Sequence, residues 1–293
     1  MIDGINKLKA WLNCFFAPQP AIRLEFLRLF IPLAILLFLS SRLLHPADWL
    51  TNQGFQVPDL GHRDWRQPLY LAPLSLWVAT LLCIVTTFSG LLVTLGFLTR
   101  LSSGIFAACL VYLTLADRMA AFTVSKLGAV LALALFLTPT GNAFSVDAWL
   151  RTKKTGLPSQ KTTVSWGNVR FFQCLLLVMY FASGIAKIHG QWLENNHVLW
   201  THLHDSYQTL CTYWIAKTLP YSAWTWLQYL VLTFESGALL WFILPYTRFY
   251  ALIVGLGMHL FIGLCFGPVI WFALLMIILL IGCFAPIPKS RFS

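Results

Sequence analysis

Residues 75–97, SLWVATLLCIVTTFSGLLVTLGF, contain no charged side chain. A helix needs about 20 predominantly apolar residues to cross the hydrocarbon core of a bilayer, so this stretch predicts a transmembrane helix. Segments of similar character lie at 24–44, 101–117, 123–140, 168–187, 226–245, 249–266 and 269–286. The chain is 58% hydrophobic and only 10% charged, against roughly 25% charged residues in soluble domains. The sequence therefore predicts an all-α integral membrane protein with about eight transmembrane helices.

The residues before the first predicted span have a different composition. The stretch INKLKAWLNCFF at 5–16 mixes two lysines with aromatic and aliphatic side chains, which is typical of a helix lying in the membrane interface. We expect residues 1–20 to form an N-terminal amphipathic segment, and residues 21–288 to form a single polytopic membrane domain.

The distribution of Lys and Arg predicts the orientation, because cytoplasmic links carry an excess of these residues. With the predicted spans, one side receives Lys7, Lys9, Arg23, Arg28, Arg100, Arg151, Lys153, Lys154, Lys161, Arg170, Arg248, Lys289 and Arg291. The other side receives Arg42, Arg63, Arg66, Arg118, Lys126, Lys187 and Lys217. We therefore expect a cell-membrane protein with both termini in the cytoplasm. The net charge of +10 is explained by this topology, so the lipid bilayer is the expected partner and nucleic acid is not.

Three ionisable residues inside or at the ends of predicted spans are candidate catalytic residues, because such groups are costly in a membrane. They are Lys187, Glu235 and His259, all of which can transfer protons. Glu235 and His259 lie at similar distances before and after a short link between two adjacent spans. They are therefore expected at similar depth and close enough to interact. Two alternatives remain open. Lys187 could extend its amine to the interface as a helix-end lysine, and Glu235 with His259 could be a structural pair.

Other polar residues give weaker indications of a functional site. His197, His202 and His204 lie in the link at 188–225, but their spacing is not that of a standard zinc site, and we expect aromatic packing there rather than a metal. Glu25 and Arg28 lie one helical turn apart and are expected to form an interfacial ion pair. The role of Lys126 stays open.

The stretch RFFQCLLLVMYFASGIAKIHGQWLEN at 170–195 resembles the most characteristic segment of the vitamin K-dependent γ-carboxylase family. That family shares its membrane portion with bacterial HTTM (horizontally transferred transmembrane) proteins. Its pattern is an apolar helix that ends in small-Gly-x-x-Lys and is followed by Trp and an acidic residue, here residues 183–187, Trp192 and Glu194. The link NAFSVD at 142–147 is also similar, and Glu235 and His259 fall where family members carry an acidic residue and a histidine.

The resemblance implies that Lys187 takes the place of the family's essential base, which works with a reduced quinone at the non-cytoplasmic face. Two features differ from the carboxylases. The stretch at 122–126 has Lys126 and no histidine to support the base, and the chain continues only briefly after the last predicted span, without a lumenal domain. We therefore do not expect carboxylation of glutamate.

Small bacterial HTTM proteins, which this chain resembles in size, include a factor that matures a secreted sporulation-delaying toxin peptide. The resemblance implies processing or modification of a secreted peptide, with a quinone or lipid as cofactor and with accessory maturation proteins. One alternative is a non-catalytic membrane partner that escorts, senses or gives immunity to such a peptide. Another is a quinone-linked oxidoreductase subunit similar to DoxX.

Overall fold

The computed structural model describes residues 15–55, 69–116, 123–156, 163–204 and 208–286. Within these residues almost all regular structure is helical, which confirms the predicted all-α class. The helices are α1 (Ile22–Leu44), α2 (Ala47–Leu50), α3 (Leu76–Leu95), α4 (Thr99–Ala116), α5 (Thr123–Leu137), α6 (Val146–Thr155), α7 (Trp166–Ile188), α8 (Val198–Leu203), α9 (Leu210–Thr218), α10 (Tyr221–Ile243), α11 (Pro245–Cys265) and α12 (Ile270–Phe284).

The structure has a helix at each of the eight predicted transmembrane segments. Among the described residues, six helical segments are long and apolar enough to cross a membrane: Leu76–Leu95, Thr99–Ala116, Trp166–Ile188, Tyr221–Ile243, Pro245–Cys265 and Gly267–Phe284. The other two differ in length or charge. Helix α5 has only 15 residues, and α1 carries Arg23, Glu25, Arg28 and Arg42. The structure thus shows a multi-pass membrane protein, and the number of eight spans stays a prediction.

The chain divides into two compact units, residues 1–169 and 170–293. In the first unit, α1 packs against α3 and α5, and α4 packs against the same two helices. In the second unit, α11 packs between α10 and α12. The boundary falls inside α7. The expected single domain over 21–288 stays a prediction.

Glu25 and Arg28 form the expected ion pair, with Arg28 Nε 2.7 Å from Glu25 Oε2. The pair is buried inside the protein, since the two residues are 4% and 1% exposed, and its position at the membrane interface stays a prediction. The guanidinium also donates to the carbonyl oxygens of Val93 and Thr94, both at 2.7 Å, and of Phe144 at 2.9 Å. A buried charge is tolerated when its hydrogen bonds are satisfied. Arg28 thus ties α1 to the end of α3 and to the link before α6.

That link, NAFSVD at 142–147, is held by side chains from other elements. Glu25 Oε1 accepts the backbone N–H groups of Asn142 at 2.9 Å and Ala143 at 3.2 Å. The Asp147 carboxylate accepts the backbone N–H and the hydroxyl of Thr99, the first residue of α4. Burial opposes ionisation of Asp147, but these hydrogen bonds outweigh it and lower its pKa. The stabilisation that Asp147 gives is therefore present above its unfolded-state pKa and is lost as the pH falls through the lowered value.

A short antiparallel pair of strands was not predicted. Strand β1 (Pro18–Pro20) pairs with β2 (Thr163–Ser165), with Gln19 opposite Val164. The end of the predicted amphipathic segment is thereby attached to the start of α7. Residues 1–14 lie outside the described part of the chain, so the amphipathic helix stays a prediction.

The orientation can be tested by labelling single cysteines placed on exposed positions. Lys154 on α6 and Thr201 on α8 are both exposed. The segment 151–161 carries the largest group of cations and is therefore predicted to be cytoplasmic. We expect Lys154→Cys to react with a membrane-impermeant maleimide only after the cells are opened, and Thr201→Cys to react in intact cells. Reaction of Lys154→Cys in intact cells would reverse the predicted topology.

Candidate functional site

The site in the second unit begins at a close approach of two helices. A Cβ atom added at Gly184 on α7 would lie 2.6 Å from the backbone nitrogen of Ser236 and 3.0 Å from the carbonyl carbon of Glu235 on α10. No real side chain tolerates such contact with backbone, so only glycine permits this crossing. The crossing brings Lys187, about one turn further along α7, next to Glu235.

Among the described residues, the Lys187 amine makes three contacts. It donates hydrogen bonds to Glu235 Oε2 and, at 2.7 Å, to Ser183 Oγ, one turn earlier on α7. It also lies 5.1 Å from the centre of the Trp192 ring, within the range of a cation–π interaction. The Lys187 side chain is 20% exposed and that of Glu235 is 9% exposed. The amine is therefore fixed by neighbours while part of it still reaches solvent.

A second polar pair lies deeper on the same face of α7. Tyr180 Oη is 2.7 Å from His259 Nε2 on α11, and the two residues are 1% and 2% exposed. Phe234 packs edge-on against the Tyr180 ring, and Phe272 packs edge-on against His259. The other ring nitrogen of His259, Nδ1, is buried and has no hydrogen-bond partner among the described residues.

The expected interaction between Glu235 and His259, directly or through water, stays a prediction. Both side chains are buried, as expected, but no hydrogen bond joins them among the described residues. Each instead bonds to a residue of α7: Glu235 to Lys187, and His259 to Tyr180. The seven residues that separate Tyr180 from Lys187 correspond to about two helical turns. The three predicted residues thus meet the same face of one helix at two depths.

An open cleft of about 360 Å³ lies beside the Lys187 amine. Its lining comes from the end of α7 and the following segment: Ser183, Ala186, Lys187, Gly190, Gln191, Trp192, Val198 and His202. This volume lies at the lower end of the range for small-molecule sites, roughly 300–1,000 Å³. A helix-end lysine that only reached toward an interface would need neither the carboxylate nor the cleft.

A residue that the sequence did not single out, Gln228, holds the wall of the cleft. It is fully buried on α10, and its amide nitrogen donates to the carbonyl oxygens of Trp192 at 2.8 Å and Asn195 at 2.9 Å. Its amide oxygen accepts the backbone N–H of Leu199 at 3.1 Å. Gln228 precedes Glu235 by seven residues and so shares its helix face. The seven-residue spacing from Glu235 was the sequence feature that could have indicated Gln228 as part of the site.

The histidines of the link at 188–225 pack against aromatic rings or form hydrogen bonds with nearby backbone. His197 lies 4.8 Å from the Tyr221 ring, and His204 lies 3.8 Å from the Trp200 ring. His202 Nδ1 is 2.7 Å from the carbonyl oxygen of Val198. In the part of the chain that the structure describes, no three His, Cys, Asp or Glu residues gather as metal ligands. Asp205, which follows His204 in the sequence, lies outside that part, and Lys126 is exposed on α5.

Comparison with known proteins gives a family that covers most of the chain. A family model for the HTTM domain matches residues 65–286. The chain belongs to the HTTM family. No curated protein and no solved structure matches it. In this HTTM protein, Lys187, Glu235, His259 and the cleft all lie within the matched residues.

Two glycine substitutions test whether the helix crossing determines the site. We expect Gly184→Ala to lower the thermal stability and to separate Lys187 from Glu235, because its Cβ would strike the α10 backbone at a cost of about 1–3 kcal/mol. Gly257→Ala on α11 is the matched control, since nothing lies within 4 Å of its Cβ position, and alanine favours a helix. The measurement is retention of the monodisperse protein in detergent after heating. Equal stability of the two variants would contradict the described crossing.

Proposed function

We propose that this HTTM protein is a membrane-embedded enzyme that processes or modifies a secreted peptide at the non-cytoplasmic face, with Lys187 as the proton-transferring group. The observation that carries the proposal is the position of the Lys187 amine, between the Glu235 carboxylate and an open cleft. An ionisable pair at a helix crossing inside an apolar protein is costly to bury, so its presence favours a function.

The chemistry that the pair supports is general base catalysis. When one proton moves from Lys187 Nζ to Glu235 Oε2, an N–H bond is replaced by an O–H bond and both groups become neutral. The amine then carries a lone pair and can take a proton from a substrate group in the cleft, forming an N–H bond again. Ser183 and Trp192 keep the amine oriented during this exchange.

His259 and Tyr180 form the inner part of the proposed site. Their hydrogen bond fixes the face of α7 that carries Lys187 against α11. We assign them a positioning role, because the cleft is lined by Lys187 and not by either of them. The conservative variant Tyr180→Phe should then weaken the site without removing its base.

A reduced quinone fits the lining of the cleft. The cleft is lined by the Lys187 amine, the Trp192 ring and the His202 imidazole. A flat aromatic head group with hydroxyls can stack on the Trp192 ring and form hydrogen bonds with the amine and the imidazole. When bound, such a quinone would supply electrons, and Lys187 would hold or accept the proton of one of its hydroxyls.

The experiment that tests the proposal compares secreted peptides by mass spectrometry. Cells that naturally produce the protein are compared with cells lacking it and with cells carrying Lys187→Met. An enzyme predicts that at least one secreted peptide changes in mass in both altered strains, while the variant still inserts into the membrane. A non-catalytic escort or immunity partner predicts altered amounts at unchanged mass, and that result would overturn the proposal. A DoxX-like subunit predicts altered quinone oxidation with no change in any peptide.

A further inference from the structure

A second cavity lies wholly within the first unit and is unrelated to Lys187. It is an open groove of about 810 Å³ along α4, closed on one side by α5. Its lining includes Arg100, Leu101, Gly104, Ala108, Leu133 and Phe136. Arg100 is the one charged residue in this lining, and the others that the structure describes there are apolar or, in the case of Tyr112, uncharged. The groove thus has a cationic end and an apolar body.

The cationic end is held in place by the groove itself. The Arg100 guanidinium lies 5.0 Å from the centre of the Phe136 ring, a cation–π contact. Phe136 also packs against Gly104, where an added Cβ would lie 3.0 Å from the ring. The Arg100 side chain is exposed and makes no hydrogen bond or ion pair with the described residues. Its five N–H donors are therefore available to a ligand.

We propose that this groove binds an anionic phospholipid, with its phosphate on the Arg100 guanidinium and one acyl chain along α4. The lining on α4 extends from Arg100 to Leu115, about 22 Å at the rise of an α-helix. That exceeds the roughly 15 Å depth of one hydrocarbon leaflet, so an acyl chain can follow the groove over its full depth. The small side chain of Ala108, which is exposed on α4, leaves room for the chain next to the helix.

Charge and position select the head group. A guanidinium binds phosphate through two parallel hydrogen bonds, whereas the lining offers no carboxylate to attract a cationic head group. Arg100 belongs to the side predicted to be cytoplasmic, where basic pockets between transmembrane helices bind anionic head groups. A zwitterionic lipid would bring its own cation close to Arg100 and bind more weakly.

The test is lipid binding to the full chain in detergent, measured by native mass spectrometry with phosphatidylglycerol and phosphatidylcholine of identical dioleoyl chains. We expect the wild type to prefer phosphatidylglycerol. Arg100→Gln should lower the association constant for phosphatidylglycerol roughly fivefold. Ala108→Phe, which fills the groove, should lower it as well. Lys153→Gln is the matched control, because Lys153 is an exposed cation on an aromatic ring, 5.4 Å from the centre of Trp149, outside the groove.

Three results would contradict the proposal. Equal binding of both lipids to the wild type would mean that the groove holds ordinary bilayer lipid without selection. An effect of Arg100→Gln no larger than that of Lys153→Gln would mean that the preference comes from overall charge. A water-soluble dihexanoyl phosphatidylglycerol should bind more weakly than the dioleoyl lipid, and equal binding would contradict the acyl-chain part of the site.

Discussion

Lys187→Arg and Lys187→Met are both expected to abolish peptide modification while leaving the protein in the membrane. Arginine keeps the positive charge and can still pair with Glu235, but a guanidinium does not deprotonate at physiological pH. Loss of a positioned general base lowers a rate by about 10²–10⁴-fold. The measurement is the yield of modified peptide per amount of membrane-inserted protein.

The matched control for this pair of variants is Lys217 on α9, whose amine lies 5.7 Å from the Trp214 ring. It has the same residue type and the same kind of aromatic contact, but it does not line the cleft. We expect Lys217→Arg and Lys217→Met to remain active. Full activity of Lys187→Arg would show that only the charge at position 187 matters, and the binding-partner function would then explain the site better.

Arg28→Met is expected to produce the largest loss of stability. Methionine removes four hydrogen bonds, those to Glu25, Val93, Thr94 and Phe144, and leaves the buried Glu25 carboxylate without its cation. Breaking a buried ion pair in this way costs about 3–5 kcal/mol. The check is the thermal or denaturant unfolding midpoint of the purified protein in detergent.

The double variant Glu25→Gln/Arg28→Met serves as the control. A glutamine carries no charge that needs a partner, so the double variant should recover part of the stability lost in Arg28→Met. Near-wild-type stability of Arg28→Met would mean that the pair is exposed to water, and would contradict its described burial.

The fold was readable from the sequence because its signal is long and simple. Apolar runs near 20 residues predicted eight helices, and the structure has a helix at each of these places; the family match confirms the HTTM resemblance. The β1–β2 pair was missed because three-residue strands carry no periodic signal, and β1 contains two prolines. Burial of Arg28 was missed because its carbonyl partners are backbone atoms on elements about 65 and 116 residues further along the chain.

The members of the candidate site could be named from the sequence, but their pairing could not. Lys187, Glu235 and His259 stand out as ionisable residues in apolar surroundings. Their depths along the helices follow from counting residues, whereas the rotation of each helix depends on packing at single positions such as Gly184. Tyr180 was not singled out, because a tyrosine carries no charge and is not costly within an apolar run as a charged residue is.

Chemical rescue of Lys187→Ala by small amines tests whether Lys187 transfers a proton. The alanine leaves space at an open cleft, into which an amine from solution can diffuse next to Glu235. We expect ethylamine to restore part of the peptide modification, and tetramethylammonium, which has charge but no transferable proton, to restore none. Equal recovery with both cations, or full activity of Lys187→Ala without any amine, would contradict a proton-transferring Lys187.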